Sequence, residues 1–206
     1  MESGGTVYRI ETERLFLRCW EPADAADLLA LIADNEVHLG AWLPWLTGRP
    51  RTVLAQAELL RGFRSRFDTD KEFVFGVFSR AGKCLGSVGL HRSVGANALE
   101  VGYWLGRSSA GQGLGTEMVA AACQAAFASA QIQRLEIHCA PDNLPSLRIA
   151  ARLGFQHEAT LSRRLTSARG VHDMMLWCLW REAAEPLLSA PHGTCFDVLG
   201  NRVFPS

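Results

Sequence analysis

The apolar run Val101-Gly102-Tyr103-Trp104-Leu105-Gly106 leads through a short polar turn into Gly111-Gln112-Gly113-Leu114-Gly115-Thr116-Glu117, then into an alanine-rich stretch that reaches Ala130. A strand that ends in a glycine-rich turn and opens a helix gathers the unpaired N–H groups of the first helical turn, with the positive end of the helix dipole, around one concave spot. Such a spot suits an anion, most often a phosphate. Glycines at 111, 113 and 115 lack the Cβ atoms that would hold a ligand away from that backbone.

The chain of 206 residues, 48% hydrophobic, is long enough for one well-buried core and short for two. Lys plus Arg and Asp plus Glu are both 21, so no global basic field draws in a nucleic-acid backbone, and nucleic acid is not expected as a partner. The first ten residues lack the basic and apolar regions of a signal peptide, and no apolar run has membrane-spanning length. A cytoplasmic protein without membrane partners, monomeric or homodimeric, is therefore expected. The six cysteines, at 19, 84, 123, 139, 178 and 195, occur singly with no Cys-x-x-Cys pair, as reduced buried thiols do.

Alternation predicts a strand over 14–20, and Pro22 then opens a helix with Leu28, Leu29, Leu31 and Ile32 as its apolar stripe. The stretch 38–45, with two indoles and Pro44, has neither helical nor strand period and reads as an ordered loop. Thr52 is a candidate N-cap for a helix carrying Leu59, Leu60, Phe63 and Phe67 on one side. Apolar segments 72–79, 84–90 and 99–106, joined by short connections, form an antiparallel meander. After the helix 114–130, segment 134–139 is a strand parallel to 99–106, because a helix separates them. A short helix 145–153 stops at Gly154, closing strands follow at 155–161 and 173–180, and 195–204 suits a hairpin turning at Gly200-Asn201.

Two other phosphate motifs fail. A Walker loop needs Gly-Lys-Ser/Thr, and no such lysine is present. A dinucleotide fingerprint needs a small residue where Thr116 or Met118 stands, and an antiparallel meander is the wrong context. The order strand, Gly-Gln-Gly-x-Gly-Thr-Glu, helix, strand, followed by Asp142-Asn143-Leu144-Pro145-Ser146 and Arg152-Leu153-Gly154-Phe155, resembles the GNAT superfamily of acetyl-CoA-dependent N-acetyltransferases. Within it, Glu13-Arg14-Leu15, residues 39–45 and Glu100-Val101-Gly102-Tyr103-Trp104-Leu105 resemble the RimJ/RimL-type branch, which acetylates protein N-termini or small amines. The likeness runs from about residue 8 to 182.

The resemblance implies a mixed α+β fold: a mostly antiparallel, twisted sheet of six or seven strands with a central splayed parallel pair, flanked by about four helices. Residues 1–188 would form one acetyltransferase domain, with 189–206 an extension that covers a groove or a dimer seam. Acetyl-CoA is the implied cosubstrate, with its pyrophosphate on the N–H groups of Gly111, Gln112, Gly113, Leu114, Gly115 and Thr116. Its pantetheine arm would pair with the strand edge at Tyr103, Trp104 and Leu105. Asn143 either fixes the arm from the other side or caps the helix before Pro145. The superfamily usually has Arg or Gln near the start of the turn, where Ser109 and Ala110 stand here.

Acetyl transfer to an amine needs a neutral amine, stabilisation of the carbonyl oxygen and a proton for the leaving thiolate, and no metal. The tyrosine that often donates this proton in the superfamily lies seven residues after the asparagine; Ala150 is there, and the only tyrosines are Tyr8 and Tyr103. Ser146 is then the candidate acid, or simply a small residue beside the cofactor. Glu100 shares a face with Trp104 and is a candidate base through water, or a structural ion pair. Cys139 is an alternative base, or an inert buried thiol. An α-amine is about one part in ten neutral at pH 7, against about one in two thousand for lysine, so weak bases favour an α-amine acceptor. Leu39, Trp42 and Trp45 either wall its pocket or plug the core. A catalytically silent acetyl-CoA-binding module is the alternative to an enzyme.

Overall fold

The computed structural model describes residues 6–129 and 131–203; Ala130, at the end of the alanine run, and Phe204, in the C-terminal segment, lie outside the described residues. In chain order the elements are β1 Arg9–Glu11, β2 Leu15–Cys19, α1 Ala25–Asp34, α2 Glu36–Gly40, α3 Val53–Asp68, β3 Glu72–Ser79, β4 Cys84–His91, β5 Ala98–Leu105, α4 Leu114–Phe127, β6 Arg134–Cys139, α5 Leu144–Arg152, β7 Gln156–Ser167, β8 Gly170–Trp180, α6 Glu185–Leu188, β9 Thr194–Phe196 and β10 Arg202–Val203.

All described strands join one sheet in the order β10-β9-β1-β2-β3-β4-β5-β6-β8-β7. Among the described residues only β5 and β6 run parallel, with α4 between them in sequence. The mixed fold with its central parallel pair is as expected, but the sheet is wider than six or seven strands. Three short strands, β1, β9 and β10, extend one edge, each too brief to show a period-two pattern in sequence. The other edge is a hairpin, β7 and β8, longer than the closing strands expected at 155–161 and 173–180.

Side-chain alternation divides two cores between the two faces of the sheet. Leu15, Leu17 and Cys19 of β2, with Leu99 and Val101 of β5, are buried against the alanine face of α4. Five alanines of α4, at 120, 121, 122, 125 and 126, are buried, so the helix axis sits close to the sheet. The opposite core gathers Trp20, Leu28, Ile32, Leu39, Leu46 and Leu60 around α1, α2 and α3. Thr52 caps α3 by accepting from the Ala55 N–H at 3.2 Å, and Leu60 and Phe67 are its fully buried apolar residues, whereas Leu59 turns partly outward.

The stretch 38–45 is more regular than its composition suggests. The Leu39 and Leu43 N–H groups donate to the Asn35 and Leu39 carbonyls at 2.8 and 2.9 Å, extending α2, and Pro44 opens a 3-10 turn, Pro44–Gly48. Local hydrogen bonds build it, so no amphipathic period marks it. Among the described residues no helix is long and apolar enough to cross a membrane.

Candidate active site

The glycine turn takes the shape that its residues permit. Gly111 and Gly113 have φ of +76° and +79°, where a side chain is strained, and nothing lies within 4 Å of a Cβ built on Gly111. Gly113 is the N-cap of α4 without a side-chain cap, and the first helical bond is Glu117 N–H to the Gly113 carbonyl at 3.1 Å. The N–H groups before it are therefore left for a ligand. Gly115 admits Ile149 of α5, whose Cδ1 lies 3.0 Å from the built Cβ. The turn is anchored behind by Asn35, whose Oδ1 accepts from the Arg107 N–H at 2.8 Å, and by the Gly106 N–H, which donates to the Leu85 carbonyl at 2.8 Å.

In front of the turn the sheet opens. β5 and β6 pair at Ala98, Leu99 and Glu100 opposite Arg134, Leu135 and Glu136, and no further. Both strands continue, so residues 101–105 of β5 present an unpaired backbone edge to the gap. An extended amide-bearing ligand can satisfy that edge by strand addition. The rail and the cradle are continuous: β5 ends at Leu105, and the turn follows.

Three elements bring side chains to the gap on the α4 and α5 face. The Tyr103 hydroxyl of β5 lies 2.8 Å from Ser146 Oγ of α5, and Cys139 stands at the end of β6. Burial pushes the Tyr103 phenol well above its ordinary range, against the opposing effect of the Ser146 bond. Burial likewise pushes the Cys139 thiol up, with Ser146 again opposing. The group is thus a set of neutral proton-bearing atoms. Asn143 is the N-cap of α5: its Oδ1 accepts from the Ser146 N–H at 3.4 Å, and this local bond sets where Ser146 stands.

The opposite face carries charge. Glu100, at the last paired position before the gap, accepts from Ser93 Oγ at 2.7 Å, and His138 Nδ1 stands 3.8 Å from its carboxylate. His138 Nε2 lies 2.7 Å from Glu136, which in turn accepts from Arg134 Nε at 2.7 Å. His91, opposite Glu100 on β4, is 2.6 Å from Glu72. Its ring lies over Gly102 and Gly89, where any Cβ would meet it. Trp104 continues this face and packs toward Trp45, with ring centroids 6.2 Å apart.

Of the three residues expected to wall an acceptor pocket, Leu39 is corrected. It is 3% exposed inside the α1, α2 and α3 core, with no surface to offer. Trp45 is 46% exposed beside Trp104. Trp42 lies under the Arg169 guanidinium, 4.7 Å from its ring centroid, and Arg169 also pairs with Asp142. The neighbouring Ala168 N–H donates to the Gly40 carbonyl at 3.2 Å, so the β7–β8 hairpin tip is strapped to α2. Sequence reasoning assigned Tyr103 only its backbone. Its hydroxyl was not foreseeable without the α5 position, although it is one of just two tyrosines.

A glycine turn with free N–H groups, continuous with a splayed strand edge and with proton-bearing groups at the gap, has the shape that suits a long, anion-tipped ligand. The family described as an acetyltransferase (GNAT) domain matches residues 14–156. The probable N-acetyltransferase YjcK of Bacillus subtilis is 26% identical over 168 residues, 80% of this chain and 92% of its own. The ribosomal protein uS5 alanine N-acetyltransferase of Escherichia coli is 27% identical over 161 residues, 73% of this chain and 79% of its own. The solved structure of Mycobacterium smegmatis RimJ with CoA-disulfide has the same fold, with a TM-score of 0.79, 24% identity and coverage of 94% of this chain and 99% of that one. The chain belongs to the GNAT acetyltransferase family. It is an acetyl-CoA-dependent N-acetyltransferase, as the resemblance implied.

Proposed function

We propose that this enzyme acetylates an α-amine, of a protein N-terminus or of an aminoacyl small molecule, by direct attack on acetyl-CoA in a ternary complex. The observation that carries this reading is the gap after Glu100 and Glu136, with neutral hydroxyls on one face and a carboxylate on the other. Acetyl-CoA lies with its pyrophosphate on the N–H groups of residues 111–116 and its arm along residues 103–105; the free side of the Asn143 amide faces the arm. The thioester then sits in the gap between the two faces.

The roles follow from the protonation states. The thiolate leaving group needs a proton, and the neutral Ser146 hydroxyl, backed by the Tyr103 phenol, relays it from water, so that both hydroxyls end the step protonated. Glu100 takes the proton of the attacking amine through water. Arg66 and Arg134 bridge Glu72 and Glu136, so Glu100, which pairs with no arginine among the described residues, is the carboxylate that favours a cationic amine on approach, and Trp104 with Trp45 supplies an apolar wall. Cys139, a neutral buried thiol, is neither base nor nucleophile. The relative's action on a ribosomal-protein alanine supports an N-terminal α-amine.

The test is acetyl-CoA turnover, read as free thiol, with a panel of peptides and aminoacyl amines. Acetylation of peptide N-termini ahead of lysine side chains is expected. Thiol release only with lysine side chains overturns the acceptor assignment. Ser146→Ala and Glu100→Gln both leaving turnover intact overturns the catalytic roles. Cofactor binding without release for any acceptor leaves the silent-module reading instead.

A further inference from the structure

The superfamily's usual Arg or Gln is missing from the start of the turn, yet a guanidinium reaches the cradle from elsewhere. Arg14, just before β2, donates from Nε to Glu117 Oε2 at 2.6 Å and from Nη1 to the Gln112 carbonyl at 2.9 Å. Its Nη2 is also 2.6 Å from Glu117, and its own backbone N–H donates to Glu117 Oε1 at 3.0 Å. Thr12 Oγ1 donates to the same carboxylate at 2.5 Å. Arg14 Nη2 lies 3.4 Å from a Cβ built on Gly113.

Each contact bears on anion binding. A peptide unit is planar and trans, so holding the Gln112 carbonyl toward Arg14 turns the Gly113 N–H to the opposite side, away from the clamp. Glu117 lies in the first turn of α4, where its negative charge competes with any anion for the helix dipole. The Arg14 guanidinium neutralises it. A guanidinium has five N–H donors, and these contacts use one each on Nε, Nη1 and Nη2, leaving two on a side chain 46% exposed at the cradle.

We propose that Arg14 is a positioning residue for the cosubstrate, one that holds the glycine turn in its anion-binding shape and supplies positive charge to the pyrophosphate of acetyl-CoA. The proposal rests on the reading of residues 111–116 as the pyrophosphate cradle. It places a second, sequence-distant part of the chain in the cofactor site. Because only the phosphates feel Arg14, the thioester end of the donor is untouched by its loss.

The experiment measures CoA affinity by calorimetry at low and high salt, and turnover with acetyl-pantetheine, which carries no phosphate. Arg14→Met is expected to bind CoA about tenfold more weakly, with a flatter salt dependence, while its acetyl-pantetheine turnover matches the wild type. Arg14→Lys, which keeps the cation and loses the planar fork, is expected to fall between the two in affinity and to keep the salt dependence. Unchanged CoA affinity in Arg14→Met, or an equal loss with both donors, overturns the proposal. Should Arg14→Met not fold, Arg14→Lys decides, since a loss confined to CoA supports the proposal and none, or an equal loss with both, overturns it. A wild-type chain that does not bind CoA overturns the cradle reading itself, a separable result.

Discussion

Tyr103 on β5 and Ser146 on α5 stand with their hydroxyl oxygens 2.8 Å apart, at the mouth of the gap between β5 and β6. Neither strand pairing nor helix packing requires this contact, and it joins two groups that remain protonated. If the pair hands its proton to the departing thiolate, Ser146→Ala and Tyr103→Phe each lower kcat by about ten- to a hundredfold. KM for acetyl-CoA changes little, and the double variant is little worse than the poorer single one, because the two act as a unit. Burial holds the phenol above its usual range, so the alkaline limb of the pH–rate profile is the same in Tyr103→Phe and wild type up to about pH 10. A limb that moves in the variant would count against a neutral donor.

Cys139 tests the direct-attack mechanism. Its thiol is 5% exposed and pushed up by burial, so at neutral pH the thiolate is scarce. Cys139→Ala is expected to keep kcat within about threefold, and intact-mass spectrometry of the wild type after incubation with acetyl-CoA alone should show no acetyl adduct. A stoichiometric adduct lost in the variant would instead establish an acyl-enzyme.

Glu117 makes the glycine turn acid-sensitive. Burial alone would raise its pKa, but Thr12 and the backbone and side chain of Arg14 bond to the carboxylate and hold it below the ordinary value. A group with a depressed folded pKa contributes stability that is present above its unfolded value, about 4.3, and lost as pH falls through the folded value. In melts from pH 7 to pH 3, Glu117→Gln should be less stable than wild type at pH 7, and the difference should shrink below about pH 4.3. A difference that stays constant with pH would show that the carboxylate's charge does not matter.

Gly113 is where the cradle tolerates least change. At φ +79° a β-branched side chain is strained, and its Cβ would stand beside Arg14. Gly113→Val is expected to cost about 1–2 kcal/mol of stability, which a domain of ordinary stability survives. CoA affinity should fall at least about tenfold, since the turn must shift to relieve the strain. Equal affinity in a folded variant would remove the pyrophosphate from this turn.

Much of the fold was legible because its central elements carry their own signals. The alternation of 15–19 and the short connections between 72–79, 84–91 and 98–105 fixed β2 to β5, and Gly113 with the alanine run marked α4. Residues 38–45 were not legible as helical turns, since hydrogen bonds to the Asn35 and Leu39 carbonyls, not amphipathicity, build them. The same stretch misled about Leu39, whose burial depends on α1 and α3 packing over it. Glycines announced the turn before α4, but nothing in the sequence announced the residues that pack on it. Arg14 and Glu117 are 103 residues apart, and Tyr103 meets Ser146 only because the splayed pair opens beneath the start of α5.

The described part of the C-terminal segment, residues 189–203, lies along the β1 edge of the sheet, away from the gap between β5 and β6. β9 pairs with β1, so the hairpin lies at the sheet edge with β1, β2, β3 and β4 between it and β5. The Tyr8 N–H donates to the Phe196 carbonyl at 2.8 Å, Cys195 is buried, and Gln124 of α4 donates to the Ala190 carbonyl at 3.2 Å. These contacts stabilise the sheet and the far half of α4, and leave the cradle at the near end alone. Deleting residues 189–206 exposes the β1 edge, a template for pairing between chains. The truncated chain should melt about 5–10 °C lower and associate on concentration, while kcat and KM for acetyl-CoA stay within about twofold. Calorimetric melts, light scattering and steady-state kinetics on the same preparation read all three. A truncated chain that melts with the wild type but loses turnover would place the segment in the active site after all.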